Sequence, residues 1–459
     1  MVPLEIFRAY DIRGIYREQL NEETMKLIAA AIDAQKIILG HDCRMSSDAL
    51  CEAFISGFGG EIIDVGLSPI GSAMFFSWKR GIDLAYITAS HLTSEWNGLK
   101  LFHSSGVGYL EDEIKAIKSI VVDEMNPGKK SRSVKNVKIS SITGDYINHL
   151  LAKVPGHKKM KIIIDCGNGV SSMIAPELFR RAGYDVEIIF ENIDSNFSGR
   201  GPDVEEKHLT NLKNKTEQNK CIGIAYDGDG DRVALVDENG NVLTPEQISY
   251  IVISELLKKE QGPVVANVEC TNVIDHAVKK FNRKVYRVPV GHTFLVENVH
   301  KNNASFGVER SGHFSIPSII PFDDAVALSF YATNVISNSD KTLSELVRDI
   351  PSFPSKRTNY ICPEKKKFEL IRQVERNVNG ICLSNNKGDE KAKAEINTCD
   401  GVRVDTNDGW FLIRASNTGP LVRLTTQSDT RQGLEKIKNE AEKILIKSAY
   451  ELGIELREE

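Results

Sequence analysis

The chain has 459 residues, too many for one ordinary hydrophobic core, and the usual domain size divides it into about three. With 41% hydrophobic and 26% charged residues it is not a disordered chain, and a net charge of −5 leaves no global basic field for nucleic acid, so a small-molecule substrate is expected. No apolar run approaches the roughly 18 residues of a membrane span, and Met1 to Tyr10 lacks the apolar core of a signal peptide, so a cytoplasmic protein without a membrane partner is expected.

In chain order, β-branched runs alternate with helical patterns over about the first 340 residues, as in parallel sheets with crossover helices. The runs at 36–39, 83–87, 160–165, 222–226, 264–268 and 304–308 read as strands. Residues 126–138, with Pro-Gly and five basic residues, read as a solvated linker; no aromatic residue interleaves with those charges to suggest nucleic-acid binding. Thr244, Pro245 and Gln247 make an N-cap, a first-turn proline and a capping-box partner, and Ile248, Ile251, Val252 and Leu256 then line one helix face. Beyond Pro351 the pattern changes to a strand at 358–361, a helix near 364–378 and strands at 402–404, 409–414 and 421–425. A last amphipathic helix has Leu434, Ile437, Ala441 and Ile444 on its inner face, which completes a separate α+β domain. The eight cysteines, Cys43, Cys51, Cys166, Cys221, Cys270, Cys362, Cys382 and Cys399, never form Cys-x-x-Cys and read as buried free thiols.

Three strands run directly into polar loops of small residues: 88–91, 227–231 and 309–313. In open parallel sheets ligands collect outside the carboxyl ends of strands, so three similar domains facing one cleft are expected. Asp227-Gly228-Asp229-Gly230-Asp231-Arg232 sets three carboxylates on alternate positions, with glycines that let the backbone fold them round one ion; such hard ligands suit Mg²⁺ or Ca²⁺. With Glu238 the aspartates match positions 1, 3, 5 and 12 of an EF-hand, but Arg232 stands where that loop needs glycine and both flanks read as strands. A solvated acidic turn is the other reading. Thr88-Ala89-Ser90-His91 puts a hydroxyl beside an imidazole, or forms an ordinary strand-end turn. There is no G-x-S-x-G elbow for a hydrolase serine and no Walker loop for a nucleotide-dependent kinase. Arg414-Ala415-Ser416-Asn417-Thr418-Gly419 combines a guanidinium fork, hydroxyls and accessible N–H groups, an inventory for a dianionic phosphate or simply a polar hairpin. Glu309-Arg310-Ser311-Gly312-His313 offers the donors and acceptors that sugar hydroxyls need.

In this order, together with Arg8-Ala9-Tyr10-Asp11-Ile12-Arg13-Gly14 and Asn97-Gly98-Leu99-Lys100, these loops resemble those of the α-D-phosphohexomutases, the family of phosphoglucomutases, phosphomannomutases and phosphoglucosamine mutases. The resemblance runs from Arg8 to the last helix. It implies an α/β chain of three similar α/β domains with mixed, largely parallel sheets and a smaller C-terminal α+β domain around one central cleft, with boundaries at 1–143, 144–245, 246–354 and 355–459. It also implies interconversion of hexose 1-phosphate and hexose 6-phosphate through a phosphoserine and a hexose 1,6-bisphosphate, which serves as activator. Ser90 would carry the phosphoryl group, with Mg²⁺ on Ser90, Asp227, Asp229 and Asp231. Arg13, Lys100, His91 and Arg232 would surround the reacting phosphate as positive charge or proton carriers. Tyr10, His292, Glu309, Ser311 and His313 would meet the sugar, and Arg414, Ser416, Asn417 and Thr418 the phosphate that is not reacting.

Two positions depart from the family pattern. Leu92-Thr93 stands where Asn-Pro is usual, and Gly419 where many relatives have glutamate. The wording of the loops resembles the enzymes of dual mannose and glucose specificity, because the Gly-Thr-Asp-Gly-Ile-Arg-Gly opening and Ser-Gly-Thr-Glu-Pro phosphate loop of glucosamine mutases are both missing. Alternatives are a phosphoglucosamine mutase, a non-catalytic sugar-phosphate binder and, if water attacks the phosphoserine, a phosphatase. Oligomeric state is left open.

Overall fold

In a computed structural model the structure describes residues 2–123, 133–136, 139–154, 156, 158–385, 394–416 and 419–458. Four sheets form where the sequence supplies short apolar runs. The first holds β1 (Ile12–Ile15), β2 (Lys36–His41), β3 (Glu61–Leu67), β4 (Leu84–Ile87), β5 (Trp96–Phe102) and β6 (Ser133–Asn136) in the order β1-β5-β4-β2-β3-β6. The second holds β7 (Lys161–Asp165), β8 (Asp185–Ile189), β9 (Ile222–Tyr226) and β10 (Val233–Val236) in the order β10-β9-β7-β8. The third holds β11 (Val264–Asn267), β12 (Val285–Val288), β13 (Phe306–Val308) and β14 (Phe314–Ser315) in the order β12-β11-β13-β14. Every residue of β4, β9 and β11 is buried, as expected of strands covered on both faces.

Each polar loop turns out to join a strand to an antiparallel successor. β4 returns as β5 with Ile87 opposite Leu99, β9 as β10 with Tyr226 opposite Val233, and β13 as β14 with Val308 opposite Phe314. The expectation of parallel strands therefore holds for β2, β3, β4 and β6 and for β7, β8 and β9, but not for the strands that leave the loops. The sequence pattern hid this because β5 and β10 are also almost wholly buried and so carry no alternation.

The fourth sheet, antiparallel in its described pairs, holds β15 (Ser355–Ile361), β16 (Glu395–Asn397), β17 (Val402–Thr406), β18 (Gly409–Ala415), β19 (Leu421–Ser428) and β20 (Arg457–Glu458) in the order β16-β17-β18-β19-β15-β20. The helices Lys367–Asn385 and Arg431–Glu451 cover it, and Leu434, Ile437, Ala441 and Leu445 are buried while Ile444 is only half-buried. Ile444 still packs against the core cluster that contains Ile437, Ala441 and Leu445, so the expected inner face includes Leu445 as well. The helix Pro245–Leu256 begins with the expected capping box between Thr244 and Gln247.

The chain divides into two compact units, Met1–Val265 with Gly291–Asp349 and Ala266–Val290 with Ile350–Glu459. The first has one core cluster on Phe54, Phe58, Ile37, Leu39 and Leu101 and the second one on Val374, Ile413, Leu424 and Ala441. Strand β6 occupies 133–136 of the expected linker and pairs with β3; positions 126–132, 137 and 138 of that expectation lie outside the described residues. The cysteines other than Cys382 are free, with Cys399 exposed and Cys43 half-buried, and the Cys382 side chain lies outside the described residues. Among the described residues no helix is long and apolar enough to cross a membrane.

Candidate active site

Buried strands deliver the chemistry in the first unit. After β4 the chain enters Thr88-Ala89-Ser90-His91, where Ser90 takes φ 54°, a left-handed conformation that costs a non-glycine residue about 1–2 kcal/mol. Its Oγ donates to Asp227 Oδ2 at 2.8 Å and lies 3.4 Å from Asp231 Oδ1 and 3.4 Å from His91 Nδ1. Strand β9 carries Asp227, Asp229 and Asp231 into the interior, each at most 4% exposed. Asp227 Oδ1 accepts the N–H groups of Gly230 and Arg232, both at 3.0 Å, and so closes the loop on its first residue. Glycine is required twice here: Gly230 supplies φ 81°, and a Cβ on Gly228 would stand 2.8 Å from the Ser90 carbonyl oxygen.

Positive charge answers the carboxylates. Lys100 projects from β5, with its Nζ 2.9 Å from Asp229 Oδ2 and also bonded to Asp231. Burial works against the ammonium, but Asp229 and then Asp231 outweigh it and hold Lys100 protonated. Arg13, on β1, pairs with Asp11 at 2.7 Å and reaches the Ala89 carbonyl at 3.4 Å. His91 is held well below the usual imidazole range by burial, then by Arg232 and Arg13, so its ring is neutral. Burial followed by the mutual repulsion of the aspartates pushes Asp227 and Asp229 up, whereas Asp231, also opposed by burial, is pulled down by Lys100.

A divalent cation fits this cluster. Asp227, Asp229 and Asp231 each offer one oxygen, all within 4.8 Å of one another, and buried Asp229 Oδ1 has no hydrogen-bond partner among the described residues. Ser90 Oγ lies beside two of the three. These are hard oxygen donors with an excess of negative charge, the set preferred by Mg²⁺. Asp203, Glu205 and His208 also approach one another, but Glu205 is exposed and paired with Lys207 at 2.6 Å.

Arg232 Nε donates to His313 Nε2 at 3.1 Å, which leaves the ring proton on Nδ1, 2.9 Å from Asp323 Oδ2. His292 stacks on His313 with ring centres 5.4 Å apart, meets Tyr10 edge-on at 5.5 Å, and is pushed down to about 4 by burial. Tyr10 is pushed up to about 12, chiefly by burial, and keeps its proton. Glu309 accepts from the Gly291 N–H at 2.5 Å and from Ser311 Oγ at 3.0 Å, so the two expected sugar ligands already hold one another.

The second unit holds Arg414, whose Nε donates to Asp400 at 2.7 Å and whose Nη1 lies 3.4 Å from Glu269. Lys367, buried, donates to the carbonyls of Ser416 at 2.7 Å and Gly419 at 3.3 Å and pins both ends of that loop. Asn417 and Thr418 lie outside the described residues. Reasoning from sequence missed Asp42, Arg44, Asp323, Lys367, Glu269 and Asp400. For Asp42 and Arg44 a signal existed: Asp42-Cys43-Arg44 opens a further polar loop directly after a strand, and β2 lies parallel to and beside β4.

Comparison with known proteins matches the phosphoglucomutase/phosphomannomutase α/β/α domain I at residues 4–127, domain II at 144–240, domain III at 244–353 and the C-terminal domain at 358–444. The chain is 32% identical over 454 residues to a probable phosphoglucosamine mutase of Methanosphaera stadtmanae, covering 95% of this chain and 98% of that one. It is 28% identical over 457 residues to the phosphomannomutase/phosphoglucomutase of Pseudomonas putida, covering 95% of each. In structure it is similar to a phosphoglucomutase/phosphomannomutase family protein from Burkholderia thailandensis, with a TM-score of 0.86 at 23% identity over 98% of both chains. An N-acetylphosphoglucosamine mutase of Aspergillus fumigatus, solved with GlcNAc-6P and magnesium, aligns with a TM-score of 0.54 at 14% identity over 83% of this chain and 93% of that one.

Proposed function

We propose, for a chain that belongs to the phosphoglucomutase/phosphomannomutase family and is a phosphohexomutase, that Ser90 stores and transfers the phosphoryl group. What carries this reading is the Ser90 hydroxyl, bonded at 2.8 Å to one carboxylate of a buried acidic triad and reached by a neutral imidazole at 3.4 Å. The phosphoryl group passes from Ser90 Oγ to the free hydroxyl of a hexose 1-phosphate. The resulting 1,6-bisphosphate turns round, and Ser90 Oγ takes the phosphoryl group from the other end. Asp227, Asp229 and Asp231, with Ser90, would hold Mg²⁺, which when bound neutralises charge on the transferring group. Lys100, Arg13 and Arg232 supply fixed positive charge where the phosphoryl oxygens gain negative charge. His91 exchanges a proton with Ser90 Oγ. Glu309, Ser311, His313, His292 and Tyr10 receive the sugar, and Arg414 with Ser416, Asn417 and Thr418 the distal phosphate. Hexose 1,6-bisphosphate is the activator that charges Ser90. The four domains proposed are 1–143, 144–245, 246–354 and 355–459.

For the sugar, mannose and glucose phosphates are preferred. The two differ only in configuration at C2, so a site gripping the 3- and 4-hydroxyls takes both. One observation favours glucosamine instead, the 32% identity to an archaeal chain named as a probable phosphoglucosamine mutase. The deciding experiment is kcat/KM for mannose, glucose and glucosamine 1-phosphates under the same magnesium and bisphosphate. A preference for glucosamine phosphate above about tenfold, or 1.4 kcal/mol in transition-state binding, would overturn the sugar assignment and leave the mutase intact.

A further inference from the structure

The left-handed backbone at Ser90 is held by one side chain of its own loop and by one from outside it. The Ser90 N–H donates to Thr88 Oγ1 at 2.8 Å, and its carbonyl accepts from Arg44 Nη2 at 2.7 Å. Arg44 is fully buried and its guanidinium is saturated: Nη2 also reaches the Leu92 carbonyl at 2.6 Å, Nη1 those of Thr93 at 2.6 Å and Trp96 at 3.0 Å, and Nε Asp42 Oδ2 at 2.9 Å. Five donors therefore meet five acceptors, four of them carbonyls of one loop. Asp42 Oδ2 accepts from Thr88 Oγ1 as well, at 2.7 Å, so that Asp42, Arg44, Ser90 and Thr88 form a closed ring of hydrogen bonds around the Ser90 peptide. Phe197 caps the guanidinium from 5.1 Å. Residues 88–97 contain no proline, so nothing covalent stiffens this loop.

We propose that Arg44, oriented by Asp42, is a positioning residue for phosphoryl transfer, which fixes the Ser90 loop so that Oγ points at the acidic triad. Arg44 is buried and bonds the carbonyl of Ser90, not its Oγ. Its planar fork is what the role needs, since a lysine offers one point charge and three donors and cannot span four carbonyls. The proposal rests on Ser90 being the phosphoryl acceptor.

The test compares wild type with Arg44→Lys, Arg44→Ala and Asp42→Asn in the full chain. The readouts are melting temperature, Ser90 phosphorylation rate by glucose 1,6-bisphosphate from intact mass, and kcat and KM for a hexose 1-phosphate. Arg44→Lys should stay folded and keep KM near the wild-type value, while kcat and the phosphorylation rate fall together by about 10- to 100-fold. Asp42→Asn should shift the same two rates in the same direction. Added guanidinium ion should restore part of the lost rate to Arg44→Ala, and ammonium ion should not. Folded variants with unchanged kcat, or a loss confined to KM, would overturn the proposal. So would failure of both Arg44 variants to fold, because Arg44 would then hold the fold rather than the loop. Absence of phosphorylation from wild-type Ser90 would instead overturn the reading of the nucleophile.

Discussion

At Ser90 a single left-handed residue aims the proposed nucleophile at three buried aspartates, of which Asp229 and Asp231 share the Lys100 ammonium. Buried carboxylates that repel one another are costly unless a cation joins them. Removing the charge of one should therefore impair chemistry more than folding. Asp229→Asn in saturating magnesium is expected to lower kcat/KM by about a hundredfold or more, roughly 2.7 kcal/mol, while the chain stays folded because Asp231 still pairs with Lys100. Intact mass after incubation with a hexose bisphosphate should show a phosphoryl adduct on wild type and none on Ser90→Ala; equal adducts on both would move the nucleophile elsewhere. Arg414→Ala should act differently. It removes a charge-assisted phosphate contact, so KM should rise with a binding loss of about 1.5–3 kcal/mol while the Ser90 phosphorylation chemistry persists. Steady-state kinetics separate the two patterns.

Among the elements, the helix Ala325–Asn338 carries an unusual cap. Asp324 accepts the Ala327 N–H at 2.8 Å, as an N-cap should, yet it is buried and also receives the Tyr146 hydroxyl at 2.8 Å. Burial pushes its carboxyl up to about 7, against the opposing pull of those two hydrogen bonds. Asp323 adds a second negative charge nearby, and Gly71, whose added Cβ would stand 2.5 Å from Asp324 Oδ2, brings no group to neutralise it. Between pH 3.8 and about 7 the folded chain keeps a proton here that the unfolded chain has lost. The stability so gained is complete below the lower value and is lost as pH rises through the upper one. Asp324→Asn keeps the capping oxygen and removes the titration. Its melting temperature should therefore fall less than that of wild type between pH 5 and pH 8, the difference corresponding to a few kcal/mol on the order expected for such a shift. Parallel pH profiles for the two proteins would show that Asp324 does not titrate in this range.

For the whole molecule, the second compact unit claims residues 266–290 although they lie far upstream of the rest of it. Val268 packs with Trp410 and Leu412, and Arg403 Nη1 donates to the carbonyls of Val268 at 2.8 Å and Cys270 at 3.0 Å. Glu269 pairs with Arg357 at 2.7 Å, and the Asn272 N–H donates to Gln427 at 2.8 Å. A chain ended after Asp349 would expose that apolar side chain and strip those carbonyls of their donors. It is expected to melt below the full-length chain or to aggregate, as read by circular dichroism and gel filtration; an unchanged cooperative transition would mean the segment stands without the C-terminal part. By itself the sequence determined what local pattern and residue chemistry can carry: the buried strands as apolar runs, the capping box at Thr244 and the acidic triad after β9, whereas the role expected of Ser90 came from the resemblance of the ordered loops. The residues that make up each pattern lie within a few positions of one another, so spacing exposes it. The tertiary structure alone decided the antiparallel return of β5 and β10, whose two-sided burial erases any alternation. It alone joined Arg44 to Ser90, Asp323 to His313 and Arg232, and Lys367 to both ends of the Ser416 loop. Those side chains bond mostly to backbone carbonyls or to residues distant in the chain, and a carbonyl leaves no mark on the amino-acid alphabet, so only the folded backbone reveals which cation holds which loop.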